Sequence, residues 1–510
     1  MTLAALYADM YIVATDPPRD YSLLFNDRNT SLKYIRNLTI LVQHGEERER
    51  LLADLLTQVL RYVPPDTLRK IIYDPRLYIP GHLFVRMLFH QRYLTFLIPQ
   101  ARDSSLLVEY LEAALTDYGD AFFSSIQSLA LDENRDSWEL HRYLISKCTN
   151  LRGFHRYAAA AVTQLHLRDH YHDLVRLSES SHLTLNGIDW SSSQSGSWAG
   201  LNFGNLVSLR LTAPASARYF LQTFRERSDF PLGLKYFEAV LICERGRSYS
   251  RNVAVRVLEN FLHAFSGLIE LSVSIYGESL PSVRSISNHA QTLLVLDLHA
   301  IDATSAGQYR EVVYPAAHFR LLCENLSRLR QLSCGFPAMS KAVMKTRKYP
   351  GLMYSCALLK ELTTLILSPW PSSGAEDMHS DQDLAFLNDQ ILKIIKFLKG
   401  STHPWVPEHY GSGRLHKSFT GQPRDRLPCL SVLGIGGWIS PSPSHTDHDW
   451  YCLFQLDTTW LMGGHAYVQV SQVANNTELH RVASQCDVLR SKWMCSRGAS
   501  SAYGELAYGF

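Results

Sequence analysis

The chain has 510 residues, with 50 Lys and Arg against 48 Asp and Glu, a formal net charge of +2. That balance supplies no overall field to gather nucleic acid or an anionic membrane. Hydrophobic residues make up 46% and charged residues 19%, enough apolar material for folded structure over most of the length. A chain this long exceeds what one compact core holds, so several domains or one elongated stack of repeats is expected.

The start, Met1-Thr-Leu-Ala-Ala-Leu-Tyr-Ala-Asp9, has no cationic segment followed by a long apolar run, so no secretory signal is expected. No uninterrupted apolar stretch reaches the roughly 20 residues that span a bilayer. The cysteines, at Cys148, Cys243, Cys323, Cys334, Cys356, Cys429, Cys452, Cys486 and Cys495, include no Cys-x-x-Cys pair. Zinc ribbons and redox motifs are therefore unsupported. An odd, scattered set predicts reduced thiols and a cytoplasmic or nuclear location.

In chain order, residues 1–30 form a lead-in that ends in the turn Asp16-Pro17-Pro18-Arg19-Asp20 and the polar run Asn26–Asn29. A recurring apolar phrase then begins with Leu32–Ile35–Leu38–Ile40. It returns as Phe123–Ile126–Leu129–Leu131, Leu206–Leu209–Leu211, Leu268–Leu271–Val273, Leu293–Leu296–Leu298, Leu359–Leu362–Leu365–Leu367 and Leu427–Leu430–Leu433–Ile435. A period-3 approach that closes on a period-2 step is the strand signature of a leucine-rich repeat, which buries its apolar face only by stacking on its neighbours.

Between these phrases lie helix signals. Leu51, Leu52, Leu55, Leu56, Val59, Leu60 and Val63 make Glu46–Val63 amphipathic, Pro64-Pro65 stops it, and Asp66 reads as a cap for Thr67–Tyr73. Gly81–Tyr118 is too densely apolar to divide cleanly beyond a strand near Leu94–Ile98 and a helix near Ser104–Leu115. Further helices are expected at Asp136–Lys147, Arg218–Glu226, Asn252–Phe265, Ala316–Leu326 and Leu384–Leu398. Long loops are expected at 368–383 and 403–428, and an irregular cap and tail over 439–510.

Alternating strand and helix predicts parallel strands with right-handed crossovers. Leu271, Leu296, Leu332 and Leu365 are separated by 25, 36 and 33 residues, long and uneven beside repeats of about 20–29. The expected fold is thus α/β: an irregular leucine-rich-repeat solenoid over 31–438, with parallel strands and helices on its convex side. Residues between the strand leucines should face the open, concave side. Arg210, Glu270, Ser272, Asp297, His299 and Thr364 are accordingly the candidate partner-binding residues, a mixed polar set suited to another protein.

No catalytic centre is expected. Gly196-Ser197-Trp198-Ala199-Gly200 has its serine one place early for a nucleophile elbow, and Gly434-Ile435-Gly436-Gly437 lacks the third glycine and helix of a phosphate-binding turn. His166 and His170 stand at i and i+4 near His172, Asp169 and Asp173, a spacing that zinc sites use. Without a Glu beside the first His, and with strand-like flanks, a polar turn is the simpler reading. His445, Asp447, His448 and Asp449 read as a solvated loop. No metal ligands, cofactor, nucleic acid or membrane contact are expected. The alternatives are a metal-dependent hydrolase using His166, His170 and Asp173, and an accessory protein of a fungal metabolic pathway.

The stretch Ala5–Ile12, followed by Ser31-Leu32-Lys33-Tyr34-Ile35-Arg36-Asn37-Leu38-Thr39-Ile40, resembles filamentous-fungal F-box and leucine-rich-repeat proteins. The resemblance runs loosely to Trp438. It implies a non-enzymatic interaction protein, a substrate receptor of a cullin-type ubiquitin ligase whose repeats hold the target for ubiquitination. In that family the F-box, which docks to the ligase adaptor, lies before the segment matched by Leu6. Met1 leaves no room for it, so adaptor docking is expected only if an F-box is encoded upstream.

Overall fold

The computed structural model describes residues 8–14, 21, 24–42, 47–73, 77–99, 104–118, 121–132, 138–157, 181–185, 203–211, 217–225, 231–242, 248–303, 309–337, 348–369, 394–395, 398, 406–407, 416–421, 429–435, 452–460 and 466–472. The chain divides into two compact units, Met1–Ala213 with Ser500–Phe510, and Pro214–Ala499. Each is α/β; the described strands of the first pair in parallel, and the second joins a parallel ladder to antiparallel strands.

The first unit runs β1 (Asp9–Ala14), β2 (Asn37–Val42), α1 (Arg48–Tyr62), β3 (Lys70–Ile72), α2 (Gly81–His90), β4 (Phe96–Leu97), α3 (Ser104–Tyr118), α4 (Ala121–Ser125), β5 (Ser128–Asp132), α5 (Trp138–Lys147), β6 (Gly153–Tyr157), β7 (His182–Leu185) and β8 (Ser208–Leu211). Each strand pairs in parallel with the next, from β1 through β8. The register puts Leu97, Leu129, Phe154, Leu183 and Leu209 on one rung, and Leu38 beside Ile71. Leu38, Ile71, Leu97, Leu129, Leu183 and Leu209 are all buried, each contributing about 1.5–3 kcal/mol of apolar burial.

The turn after α1 is fastened to the turn after α2. Gln91 is buried, its Oε1 accepting from Thr67 N at 2.8 Å and Leu68 N at 2.9 Å while its Nε2 donates to Pro64 O at 3.0 Å. Asp66 does not cap a helix. It has φ 58°, in the left-handed region, and its carboxylate takes the Arg92 backbone N–H at 3.0 Å and the Arg92 guanidinium. The Arg92 hydrogen bond holds the Asp66 carboxyl below its ordinary range. Where the sequence suggested a helix at Thr67–Tyr73, the chain forms β3, because Ile71 and Ile72 complete the buried sheet.

The second unit contains α6 (Ala217–Arg225), β9 (Tyr236–Ile242), α7 (Ser248–His263), β10 (Glu270–Tyr276), α8 (Val283–Ser287), β11 (Val295–Ala303), β12 (Tyr309–Glu311), α9 (Ala316–Asn325), β13 (Gln331–Phe336), α10 (Lys348–Cys356), β14 (Thr364–Pro369), β15 (Val406–Pro407), β16 (His416–Gly421), β17 (Val432–Ile435), β18 (Cys452–Trp460) and β19 (Ala466–Gln472). Its parallel ladder is β9–β10–β11–β13–β14–β17, with Phe237, Leu271, Leu296, Leu332, Leu365 and Leu433 on one buried rung. Short β12 turns back antiparallel on β11.

Beyond β17 the pairing becomes antiparallel, through β18, β19, β16 and β15. Two expectations change here. The 403–428 stretch holds strands β15 and β16, and 452–472 holds a β-hairpin rather than an irregular cap. The helix expected at Leu384–Leu398 falls largely outside the described residues, of which Ile394, Ile395 and Leu398 are helical and buried.

One backbone device repeats in both units. Before most of the parallel strands, one carbonyl accepts from two successive N–H groups of the following strand segment. Arg36 O takes Arg69 N and Lys70 N, Thr95 O takes Gln127 N and Ser128 N, and Gln127 O takes Arg152 N and Gly153 N. In the second unit Ile269 O, Leu294 O, Arg330 O and Thr363 O do the same. Hydroxyls reinforce it: Thr95 Oγ1 donates to Arg69 O across 26 residues, Thr363 Oγ1 to Arg330 O across 33, and Ser431 Oγ to Thr363 O across 68. The last, doubled interval spans an insertion that returns the chain to the same register. Among the described residues, no helix is long and apolar enough to cross a membrane.

Candidate functional site

The six residues expected on an open strand face occupy different environments. Arg210, on β8, belongs to the first unit and is half-buried. Glu270 and Thr364 share a rung through Val295 and Gln331; Glu270 is half-buried and Thr364 is buried. Ser272, Asp297 and His299 come together, and all three are buried. Ile366 and Ser333 on the same face are 0% exposed, and all six β13 residues are buried. The face is therefore closed across β10–β14, not open. A parallel sheet covered on both sides is the ordinary state of such sheets.

What fills this closed face is a polar network. His299 Nδ1 lies 2.7 Å from Glu311 Oε1, and His299 Nε2 lies 2.9 Å from Ser333 Oγ and 3.2 Å from Asp297 Oδ1. Ser272 Oγ donates to Asp297 Oδ2 at 3.1 Å. Ser272, Asp297 and Ser333 share one rung of β10, β11 and β13, and β12 brings in Glu311 by folding back on β11. Gly335 makes room: a Cβ there would stand 2.6 Å from Glu311 Cγ and 2.9 Å from Val312 O. Glu311 Oε2 is buried without a hydrogen-bond partner among the described residues.

Carboxylate, imidazole and hydroxyl in series have the connectivity of a nucleophile relay. Ser333, however, has no exposed surface to meet a substrate, and Asp297 shares the nitrogen a general base would use. As placed, the network ties four strands together. Ser333, next to Leu332, falls on this face by alternation, whereas Glu311 sits on a three-residue strand with no periodic signal.

Other titratable groups serve packing. His289 is buried against Phe265, with Nδ1 accepting from Leu268 N at 3.4 Å. Burial pushes its pKa down to about 4, offset in part by the Leu262 carbonyl. A histidine whose folded pKa lies below its unfolded value near 6.5 stabilises fully above that value, and this contribution is lost as pH falls toward 4. We expect about 3 kcal/mol to be lost over that window. Urea denaturation at pH 7 and pH 4.5 checks this: His289→Asn, which keeps an acceptor but binds no proton, should show a visibly flatter pH dependence than wild type. Burial likewise holds the Cys323 and Cys356 thiols well above their ordinary range, favouring the protonated form.

A groove of about 730 Å³ lies between α1, α2 and α3, lined by Ala53, Val85, Leu106, Leu107 and Tyr110 among others. Of its polar members, Glu49 Oε1 accepts from Tyr78 N at 3.2 Å, and Arg50 pairs with Glu47 at 3.4 Å. The His166–Asp173 and His445–Asp449 clusters lie outside the described residues. Among those described, no three His, Cys, Asp or Glu side chains are placed to hold a metal ion.

These features define an α/β protein of parallel ladders with a buried polar lock in its second unit. No protein-family model matches the chain, and no curated protein matches it either.

Proposed function

We propose that this chain is a non-enzymatic protein–protein interaction protein, built as an irregular leucine-rich-repeat solenoid and related in organisation to fungal F-box and leucine-rich-repeat receptors. The observation that carries the reading is the repeated carbonyl hand-off before most of the parallel strands. It recurs at intervals such as 26, 29 and 33 residues, each long enough for one strand, one helix and their turns. Repeats joined only to their neighbours build extended surfaces, and extended surfaces suit macromolecular partners. Its buried cysteines Cys148, Cys323, Cys334 and Cys356, none in a disulfide, suit a cytoplasmic or nuclear setting.

The test is purification of the tagged full chain from a filamentous-fungal host after cross-linking. A defined stoichiometric protein partner is expected, and recovery of a cullin adaptor with it would assign the ubiquitin-ligase receptor role. Elution of the chain alone would overturn the reading. Metal analysis of the same sample separates the hydrolase alternative: substoichiometric zinc, manganese and iron are expected, and one tightly held metal per chain would favour hydrolysis instead.

A further inference from the structure

We propose that the leading edge of the first unit's sheet is a docking surface for an acidic segment of a protein partner. This rests on reading the chain as an interaction protein and says where and by what chemistry it binds. The position just before these parallel strands makes the hand-off through its backbone, whatever its side chain. Across the two units it is occupied by Arg36, Arg69, Thr95, Gln127, Arg152, Ser181, Lys235, Ile269, Leu294, Arg330 and Thr363. Apolar, neutral and charged side chains all serve there, so the carbonyl hand-off does not dictate the cations of the first unit.

In that unit the edge carries a row of positive charge. Lys33, Arg36, Arg92 and Arg152 are exposed and Arg69 is half-buried. Arg36 and Arg69 stand on adjacent strands, about 4.8 Å apart along the hydrogen-bonding direction, with Arg152 three strands further on. Arg92 is neutralised by Asp66. Asp9 is engaged with the Asn37 side chain at 2.6 Å and lies near Lys70. Among the described residues, Lys33, Arg36, Arg69 and Arg152 have no ion-pairing carboxylate. Arg36 Nη1 instead reaches the carbonyls of Lys33, Ile35 and Thr67, which fixes the guanidinium at the edge. The second unit offers a contrast, since its edge arginine, Arg330, is paired with Glu361 at 3.6 Å.

The surroundings favour a polypeptide over a nucleic acid. Each aromatic ring at the edge carries a cation on one face: Lys33 lies 5.1 Å from the Tyr34 ring and Arg69 lies 5.0 Å from the Tyr93 ring. A face held by a cation competes with the base stacking that single-strand binding uses. A net charge of +2 also supplies little long-range attraction for a polyanion. Carboxylates presented in series match planar guanidinium groups two N–H donors at a time.

Fluorescence anisotropy of the full chain with a fluorescein-labelled ten-residue glutamate peptide tests the proposal. Wild type and the second-unit control Arg330→Glu should bind alike. The Lys33→Glu/Arg69→Glu/Arg152→Glu variant should bind at least tenfold more weakly, and added salt should weaken wild type. Circular dichroism establishes that each variant is folded; Lys33→Gln/Arg152→Gln provides a milder second variant. Absence of wild-type binding, or equal binding by the triple variant, overturns the proposal. Tighter binding of a twenty-residue thymidine oligonucleotide, lost in the triple variant, overturns it in favour of nucleic acid. If the triple variant still captures the cross-linked partner at wild-type yield, the edge is wrong while the interaction reading stands. If wild type captures nothing, the interaction reading itself fails.

Discussion

Replacing His299 with alanine is expected to destabilise the second unit by about 3–5 kcal/mol, the usual cost of removing one partner from a buried ionic network. The geometry explains the size. His299 separates Asp297 from Glu311 and contacts both, at 3.2 and 2.7 Å, with 0% of its side chain exposed. Without it, two buried carboxylates would lose their common partner, and a cavity would open between β11, β12 and β13. The loss is a large share of the roughly 5–15 kcal/mol that holds a typical domain together. Urea denaturation followed by circular dichroism measures it. Replacing both carboxyl groups as well, in Asp297→Asn/His299→Ala/Glu311→Gln, should restore part of the stability, because no buried acid is then left without its partner. A change under about 1 kcal/mol for His299→Ala, below the usual buried-partner cost, would show that the network does not bear on stability.

Gly335→Ala is the second large effect, about 1–3 kcal/mol by overpacking. Its new methyl would meet Glu311 Cγ at 2.6 Å, Glu311 Oε1 at 2.7 Å and Val312 O at 2.9 Å. Glu311 cannot simply turn aside, since its Oε1 is committed to His299, and the Val312 carbonyl is backbone. Relief therefore requires β12 and the Gly335 backbone of β13 to move apart. The two sites should couple: in a Glu311→Ala background the cost of Gly335→Ala should shrink, because one of the two obstacles is gone. Equal costs in both backgrounds would place the strain elsewhere.

The strand ladder was largely legible in the sequence, because leucines at the phrase positions fall on shared rungs: Leu271, Leu296, Leu332, Leu365 and Leu433 are the same residues in both. Helices with one apolar stripe, such as α1, α7 and α9, were also recovered. Helix α2 was not: Leu83, Phe84, Val85, Met87 and Leu88 are buried, and the exposed stripe of His82 and Arg86 is too narrow to stand out in so densely apolar a run. Strands β18 and β19 carried an alternating signal, as in Tyr467-Val-Gln-Val-Ser471, which the density of aromatic residues nearby obscured.

The candidate site was less accessible to sequence reasoning. Alternation places Ser272, Asp297 and His299 on one face, but it says nothing of what lies over that face. A hint was present: Val295-Leu-Asp-Leu-His-Ala-Ile301 is nearly continuous in apolar residues, as strands covered on both sides are. Glu311 had no such hint, while Arg36 lay within the first apolar phrase and Arg69 within the helix suggested at Thr67–Tyr73, so neither was read as an edge position.

Successive parallel strands are joined at one recurring backbone position, and residue-resolved hydrogen exchange tests this most directly. The amides of Arg69, Gln127, Arg152 and Val207 in the first unit, and of Ile269, Leu294, Arg330 and Thr363 in the second, each donate to the carbonyl that precedes a neighbouring strand. They lie just before their strands, and all are half-buried or exposed, so the shared carbonyl is what would protect them. The account predicts slow exchange at these positions, recurring once per repeat. Exchange there at the rate of an unstructured chain, with protection confined to the helices, would contradict it.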